Sequence, residues 1–249
     1  MMFSSHTKTG LKTLIAAVIG FASFQSSADV VISGTRIVYQ QSMKDVIVNM
    51  TNRGQNPLLL QIWIDDGRAN VSPQELKLPF VITPPITRMD PGKGQSVRVT
   101  YLNQPLAQDR ESLFWFNVLE IPKKSAQKDG ESQNQLQLAF RTRIKMFFRP
   151  DGLKGTAKEA MKQVKWSQTL QGGKLSVVGR NDSPYNVSIS GAVFKIGDKK
   201  YEINTQSIKP FSSETMPVKG LSSTTSGEVE YIAINDYGGT EKIVSKVTK

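Results

Sequence analysis

The sequence predicts an all-β protein built from two immunoglobulin-like β-sandwich domains. Three observations carry that reading. Apolar residues recur at every second position in short runs, as in a strand with one face in a core. The runs are bounded by Gly, Asn, Asp and Pro at spacings near ten residues, which suits a sandwich better than alternating strands and helices. Pro150-Asp151-Gly152 breaks the pattern near the middle of the 249 residues. The break leaves stretches of about 120 and 100 residues, each near the size of one such sandwich.

The first element is an address. Residues 1–12 hold Lys8 and Lys12 and no acid, residues 14–24 are an apolar run, and Ser26-Ser27-Ala28 supplies small residues. That order predicts a secretory signal peptide at 1–28, cleaved after Ala28. The run is too short to cross a bilayer core of about 30 Å. The first domain is then 29–150 and the second 151–249.

Within the first domain, Val46, Val48 and Met50 alternate with Ile47 and Asn49, and Asn52-Arg53-Gly54 ends the run. Leu60, Ile62 and Ile64 alternate with Gln61 and Trp63, stopped by Asp65-Asp66-Gly67. Val97, Val99 and Tyr101 form a third strand. Residues 113–119 are apolar at both parities, which predicts a strand buried on both faces. The polar stretch 122–134 predicts a mobile loop joining two adjacent strands. In the second domain the strands centre on Leu175 and Val177, Val187 and Ile189, 193–196, Met216 and Val218, 231–234, and 243–247. Gly172-Gly173, Gly197-Asp198 and Gly238-Gly239 read as turns. Residues 156–165 allow one helical turn or two.

Composition removes whole classes of chemistry. There is no cysteine, so disulfides, thiolate metal sites and cysteine catalysis are excluded. The one histidine, His6, lies in the leader, so the mature chain has no imidazole acid–base chemistry. The formal charge of +11 points to an acidic or anionic partner. Asp65-Asp66, Asp109 with Glu111, and Glu228 with Glu230 are the nearest things to carboxylate pairs. Strand neighbours face opposite sides, so these read as turns and solvated strand faces. Asp90-Pro91-Gly92-Lys93-Gly94 lacks the spacing of a phosphate loop and reads as a turn.

The segment 136–150 is harder to dismiss. It starts with Leu136, Leu138 and Phe140 at alternate positions and ends with Arg141, Arg143, Lys145 and Arg149. A long strand with an apolar stripe is an edge hazard unless a partner covers it.

Here the sequence resembles the periplasmic pilus-assembly chaperones of the chaperone–usher pathway, over essentially the whole mature chain. Thr35-Arg36-Ile37-Val38-Tyr39 resembles the family's first strand, and Ile82-Thr83-Pro84-Pro85-Ile86-Thr87-Arg88 its Thr-Pro-Pro segment. Residues 109–118, Asp-Arg-Glu-Ser-Leu-Phe-Trp-Phe-Asn-Val, are similar to its most diagnostic stretch. Residues 144–150 and Ile234-Asn235-Asp236-Tyr237-Gly238-Gly239 match in the same order.

The resemblance implies two sandwiches set at an angle with a binding cleft between them. It implies that pilus subunits, which lack their last strand, are captured by donor-strand complementation and delivered to an outer-membrane usher. Leu136, Leu138 and Phe140 would fill the subunit's groove, and Arg36 with Lys145 would hold its C-terminal carboxylate. Glu111, Arg149 and Asp236 would link the domains by salt bridges. No enzymatic activity, cofactor, metal, nucleic acid or small-molecule substrate is implied, and a free chain could cap its strand by dimerising. Lys145 has opposite parity to the three apolar residues. The expectation is therefore a twist or bulge in the strand, or a cleft that wraps it. The competing readings are an exported carbohydrate-binding or hydrolytic β-sandwich, which needs a carboxylate pair or an aromatic platform, and a nucleic-acid binder, which export disfavours.

Overall fold

The computed structural model describes residues 29–122 and 138–248; the predicted leader, the predicted loop from residue 123 onward and Leu136 lie outside them. The described residues form sixteen strands, one short helix and a single 3₁₀ turn. They build two cores, one drawn from residues before Pro150 and one from residues after it.

The first core lies between two sheets. One has the order β1 (Val30–Ile32), β3 (Asp45–Asn52), β7 (Gly94–Tyr101), β5 (Phe80–Thr83). The other has the order β2 (Arg36–Gln40), β9 (Phe140–Arg149), β8 (Ser112–Pro122), β4 (Leu58–Asp65), β6 (Ile86–Met89). Alternation decides which side chains meet: Val48 and Met50 of β3 are buried while Ile47 and Asn49 face out. Tyr39, Phe80, Tyr101, Phe114 and Phe148 form an aromatic knot with neighbouring centroids 4.6–6.3 Å apart. The Tyr39 hydroxyl donates to Lys44 O and accepts from Tyr101 N, so this ring ties β2 to the opposite sheet without an unmet polar atom.

β8 is buried as predicted only on its inner face, where Phe114, Phe116 and Val118 enter the core. Its outer face carries Trp115 and Leu119, both half-buried, around the fully buried Asn117.

A capped turn leads into the second domain. Gly152 and Gly155 take φ of 77° and 74°, a region open to glycine. Thr156 then caps helix α1 (Ala157–Lys162), its Oγ1 accepting from Glu159 N at 3.1 Å. Two strand sets follow: β11 (Lys174–Asn181) between β10 (Lys165–Gln171) and β14 (Ser212–Pro217), and β13 (Lys199–Ile203), β12 (Ile189–Ile196), β15 (Glu228–Ile234), β16 (Thr240–Thr248) in that spatial order. A parallel seam, Trp166 beside Val247 and Ser167 beside Thr248, joins β10 to β16 and makes the two sets one continuous sheet. Trp166 and Tyr231 pack 5.3 Å apart in the core, and the Tyr231 hydroxyl donates to Met161 O of α1.

Candidate functional site

The last strand of the first domain is paired unequally. β9 runs antiparallel to β8 without a register break from Phe140 to Phe148. Its other edge is covered by the parallel β2 only from Lys145, opposite Arg36, to Arg149, opposite Gln40. Among the described residues nothing pairs with that edge over 140–144. The open edge therefore stops at the Arg36–Lys145 pair.

The regular ladder corrects the expected twist or bulge. Ile144, Met146 and Phe148 point into the core, as do Phe116 and Phe114, opposite Ile144 and Met146 on β8. Leu138 and Phe140 share that parity, lie beyond the end of the core, and are 54% and 37% exposed. Lys145, like Phe147, points to the opposite face, toward the second domain.

Two cations meet at this point. Arg36 Nη1 donates to Ile234 O at 2.9 Å, and its Nε is buried with no partner among the described residues. Lys145 Nζ donates to Ser188 Oγ at 3.1 Å and to Ser207 Oγ. No carboxylate pairs with either among the described residues. Burial lowers the Lys145 ammonium to about 8, and the Arg36 charge adds to that effect. Burial also lowers the Arg36 guanidinium, against the pull of Asp236. Two adjacent, half-buried cations with neutral partners make a site suited to an anion.

Beside it, Arg149 binds both domains. Its Nε donates to Glu111 Oε1 at 2.7 Å, and its Nη1 and Nη2 donate to Asp236 at 2.8 and 3.0 Å. Glu111 Oε2 accepts from Asn186 N at 2.7 Å in the second domain. Burial pushes the Glu111 carboxyl up, against the pull of Arg149. The turn that carries Asp236 also presses on the first domain: a Cβ on Gly238, at φ 84°, would lie 2.4 Å from Thr35 Oγ1. Gly238→Ala is therefore expected to cost about 1 kcal/mol or more of stability, read by thermal unfolding. An unchanged midpoint would show that the turn is free to move.

The carboxylates read as solvated faces need correction at two positions. Glu111 is 4% exposed, and Asp65 is fully buried. Asp65 accepts from Gly67 N at 2.7 Å, Asn117 Nδ2 at 2.9 Å and Arg143 Nε at 3.0 Å, with Arg141 Nη2 at 3.4 Å. Burial pushes its carboxyl up, but the hydrogen bonds from Arg143, Asn117 and Gly67 outweigh that and hold it below the usual carboxylate range. Arg141 and Arg143 stack over Trp63 and Trp115, at 4.8 and 4.1 Å from the ring centroids. Neither ring is thus left as an open platform for a sugar.

The comparisons with known proteins settle the family. A family model described as "Pili and flagellar-assembly chaperone, PapD N-terminal domain" matches residues 29–154, and "Pili assembly chaperone PapD, C-terminal domain" matches residues 159–245. The chain belongs to the PapD-type pili assembly chaperones. It is 44% identical over 241 residues to the probable fimbrial chaperone YadV of Escherichia coli K12, covering 96% of this chain and 97% of that one. It is 37% identical over 236 residues to the chaperone protein FimB/FhaD of Bordetella pertussis, covering 93% of each. The crystal structure of the YadV chaperone superposes with a TM-score of 0.76 at 43% identity, over 88% of this chain and all of that one. The protein is thus a fimbrial chaperone of the chaperone–usher family and not an enzyme.

For this chaperone, sequence reasoning named Arg36, Lys145, Glu111, Arg149 and Asp236, and the fold gathers all five along the domain junction. It missed Ser188 and Ser207, which meet Lys145, and the pairing of Asp65 and Asn117 with Arg141 and Arg143. Serines carry no spacing signal. Asp65, Asn117 and Arg143 come from three strands that only the sheet order brings together.

Proposed function

We propose that this chaperone is exported to the periplasm, captures pilus subunits there by donor-strand complementation, and passes them to the outer-membrane usher. The observation that carries the reading is the edge of β9 at 140–144, unpaired among the described residues and ending at two cations that meet no carboxylate among them. A subunit strand laid along that edge would extend the five-stranded sheet through main-chain hydrogen bonds. Leu138 and Phe140, and Leu136 before them, would enter the subunit's groove, each side chain contributing roughly 1.5–3 kcal/mol gross if fully buried.

The terminal carboxylate would arrive where β2 begins, within reach of Arg36 and Lys145 on the cleft face. Groove filling and carboxylate binding thus use opposite faces of one regular strand, so the parity of Lys145 is no obstacle. Glu111, Arg149 and Asp236 would hold the two domains at the angle that keeps both cations in place. Export rests on the leader at 1–28 and on the family, and usher delivery on the family alone. The same open edge and apolar side chains would let the free chain pair with a second copy.

The test is co-purification from periplasm, tagged wild type against Lys145→Ala, with mass spectrometry of what comes down. A pilus subunit that appears only with wild type supports the reading. If neither retains a subunit when candidates are co-expressed, strand donation and the carboxylate site both fail.

A further inference from the structure

We infer that Asp65, with Asn117, Arg141 and Arg143, is a positioning network that keeps the open half of β9 straight and ready before a subunit arrives. The inference deepens the donor-strand reading and rests on it. A strand paired on one edge only has half the main-chain restraint of its neighbours. Among the described residues, 140–144 are in that position, yet on that reading the strand must present Phe140, with Leu138 just before it, and a row of backbone groups in one fixed register. Ordering them at the moment of capture would cost conformational entropy and lower the apparent affinity.

The network supplies the restraint from the side-chain layer. Both arginines belong to the open stretch and point away from the face that carries Leu138 and Phe140. Arg143 reaches Asp65 on β4 with two guanidinium nitrogens. Arg141 donates from Nε and Nη2 to Asn117 Oδ1 on β8 at 3.0 and 2.8 Å, and from Nη1 to Ala69 O at 2.7 Å. Asn117 Nδ2 in turn donates to Asp65. Three strands and the turn after β4 therefore converge on one buried carboxylate.

Burying an ion pair adds little net stability compared with an apolar filling. Its distinct contribution is directional: a planar fork accepts few geometries. Two arginines two residues apart, held by one anion, fix the extension of the strand between them.

The experiment pairs hydrogen exchange on the free protein with capture kinetics, comparing wild type, Asp65→Asn and Arg143→Gln. The second variant keeps the test alive if the first fails to fold. The probe is the pilus subunit that co-purifies with wild type, diluted from denaturant. In either variant the amides of 140–144 bonded to β8 are expected to exchange about tenfold faster or more, while those of Met146 and Phe148 stay protected. Subunit association should slow by a similar factor, and dissociation of the formed complex should not change.

Faster exchange spread evenly over β8 and β9 would reduce the network to ordinary stabilisation and overturn the proposal. So would an unchanged association rate. If wild type captures no subunit, the donor-strand reading itself has failed, and the role in capture falls with it. Normal capture by wild type with unaltered kinetics in both variants fails the network alone.

Discussion

Lys145→Ala is expected to lose subunit capture while gaining stability. The two effects have one origin. The ammonium sits near 8 in the folded chain, below its ordinary 10.5, because burial and then Arg36 disfavour its charge. Between those two values the unfolded chain binds more protons than the folded one, so stability rises with pH across that window. At neutral pH the folded state therefore carries the charged lysine at a cost, and alanine removes it. Capture goes the other way. Removing one cation from a desolvated ion pair weakens binding by about 2–5 kcal/mol, or roughly 30-fold to several thousandfold.

The same titration predicts a pH profile. Capture by wild type should be strongest below pH 8 and weaken as the pH rises through about 8, when free Lys145 loses its proton. Lys145→Arg should flatten that fall. Calorimetry of the free proteins and binding curves across that range give both arms. A lower melting temperature together with undiminished capture in Lys145→Ala would refute the assignment of Lys145 to the carboxylate site.

Arg149→Ala is expected to be the most damaging substitution to the architecture. It leaves Glu111 buried without its guanidinium and Asp236 without its bidentate partner. Breaking a buried pair from one side typically costs about 3–5 kcal/mol. The loss should be smaller in acid. Burial already pushes the Glu111 carboxyl up, and without Arg149 it moves further. A carboxyl raised in the folded state loses stability as pH rises above its unfolded value, so protonation restores part of what the variant lost. Glu111→Gln added to Arg149→Ala should recover a similar part at neutral pH. Thermal unfolding of the single and double variants decides this. A double variant no better than the single one would mean that the buried carboxylate is not the source of the damage.

Most of the architecture could be read from the chain because sandwich strands announce themselves by parity. Val48 and Met50, or Val97 and Val99, alternate cleanly since one face of each strand meets a core. The sequence is least informative where a residue's surroundings depend on a strand far away along the chain. Asp65 follows its strand into a turn and reads as solvated, yet Arg143, from a strand 78 residues on, closes over it. Lys145 is out of parity with Leu138 and Phe140 because it faces the second domain. A strand lent along its edge would use both faces, and its limit is set by where β2 begins rather than by any local pattern.

The tethers of the two cations have a mechanical consequence. Arg36 is attached to Ile234, at the end of the strand whose following turn carries Asp236 and seats Gly238 on Thr35. Lys145 is attached to Ser188 and Ser207, on other segments of the second domain. A cavity of about 310 Å³ beside Arg36 is lined by Phe147 of the first domain and by Met161 and Asp236 of the second. The β2–β9 ladder sets the spacing of the two backbones, so the second domain holds only the charged tips. A ligand that drew either tip away would give up a contact between the domains, and by reciprocity the loss of that contact would change the ligand's affinity by the same factor.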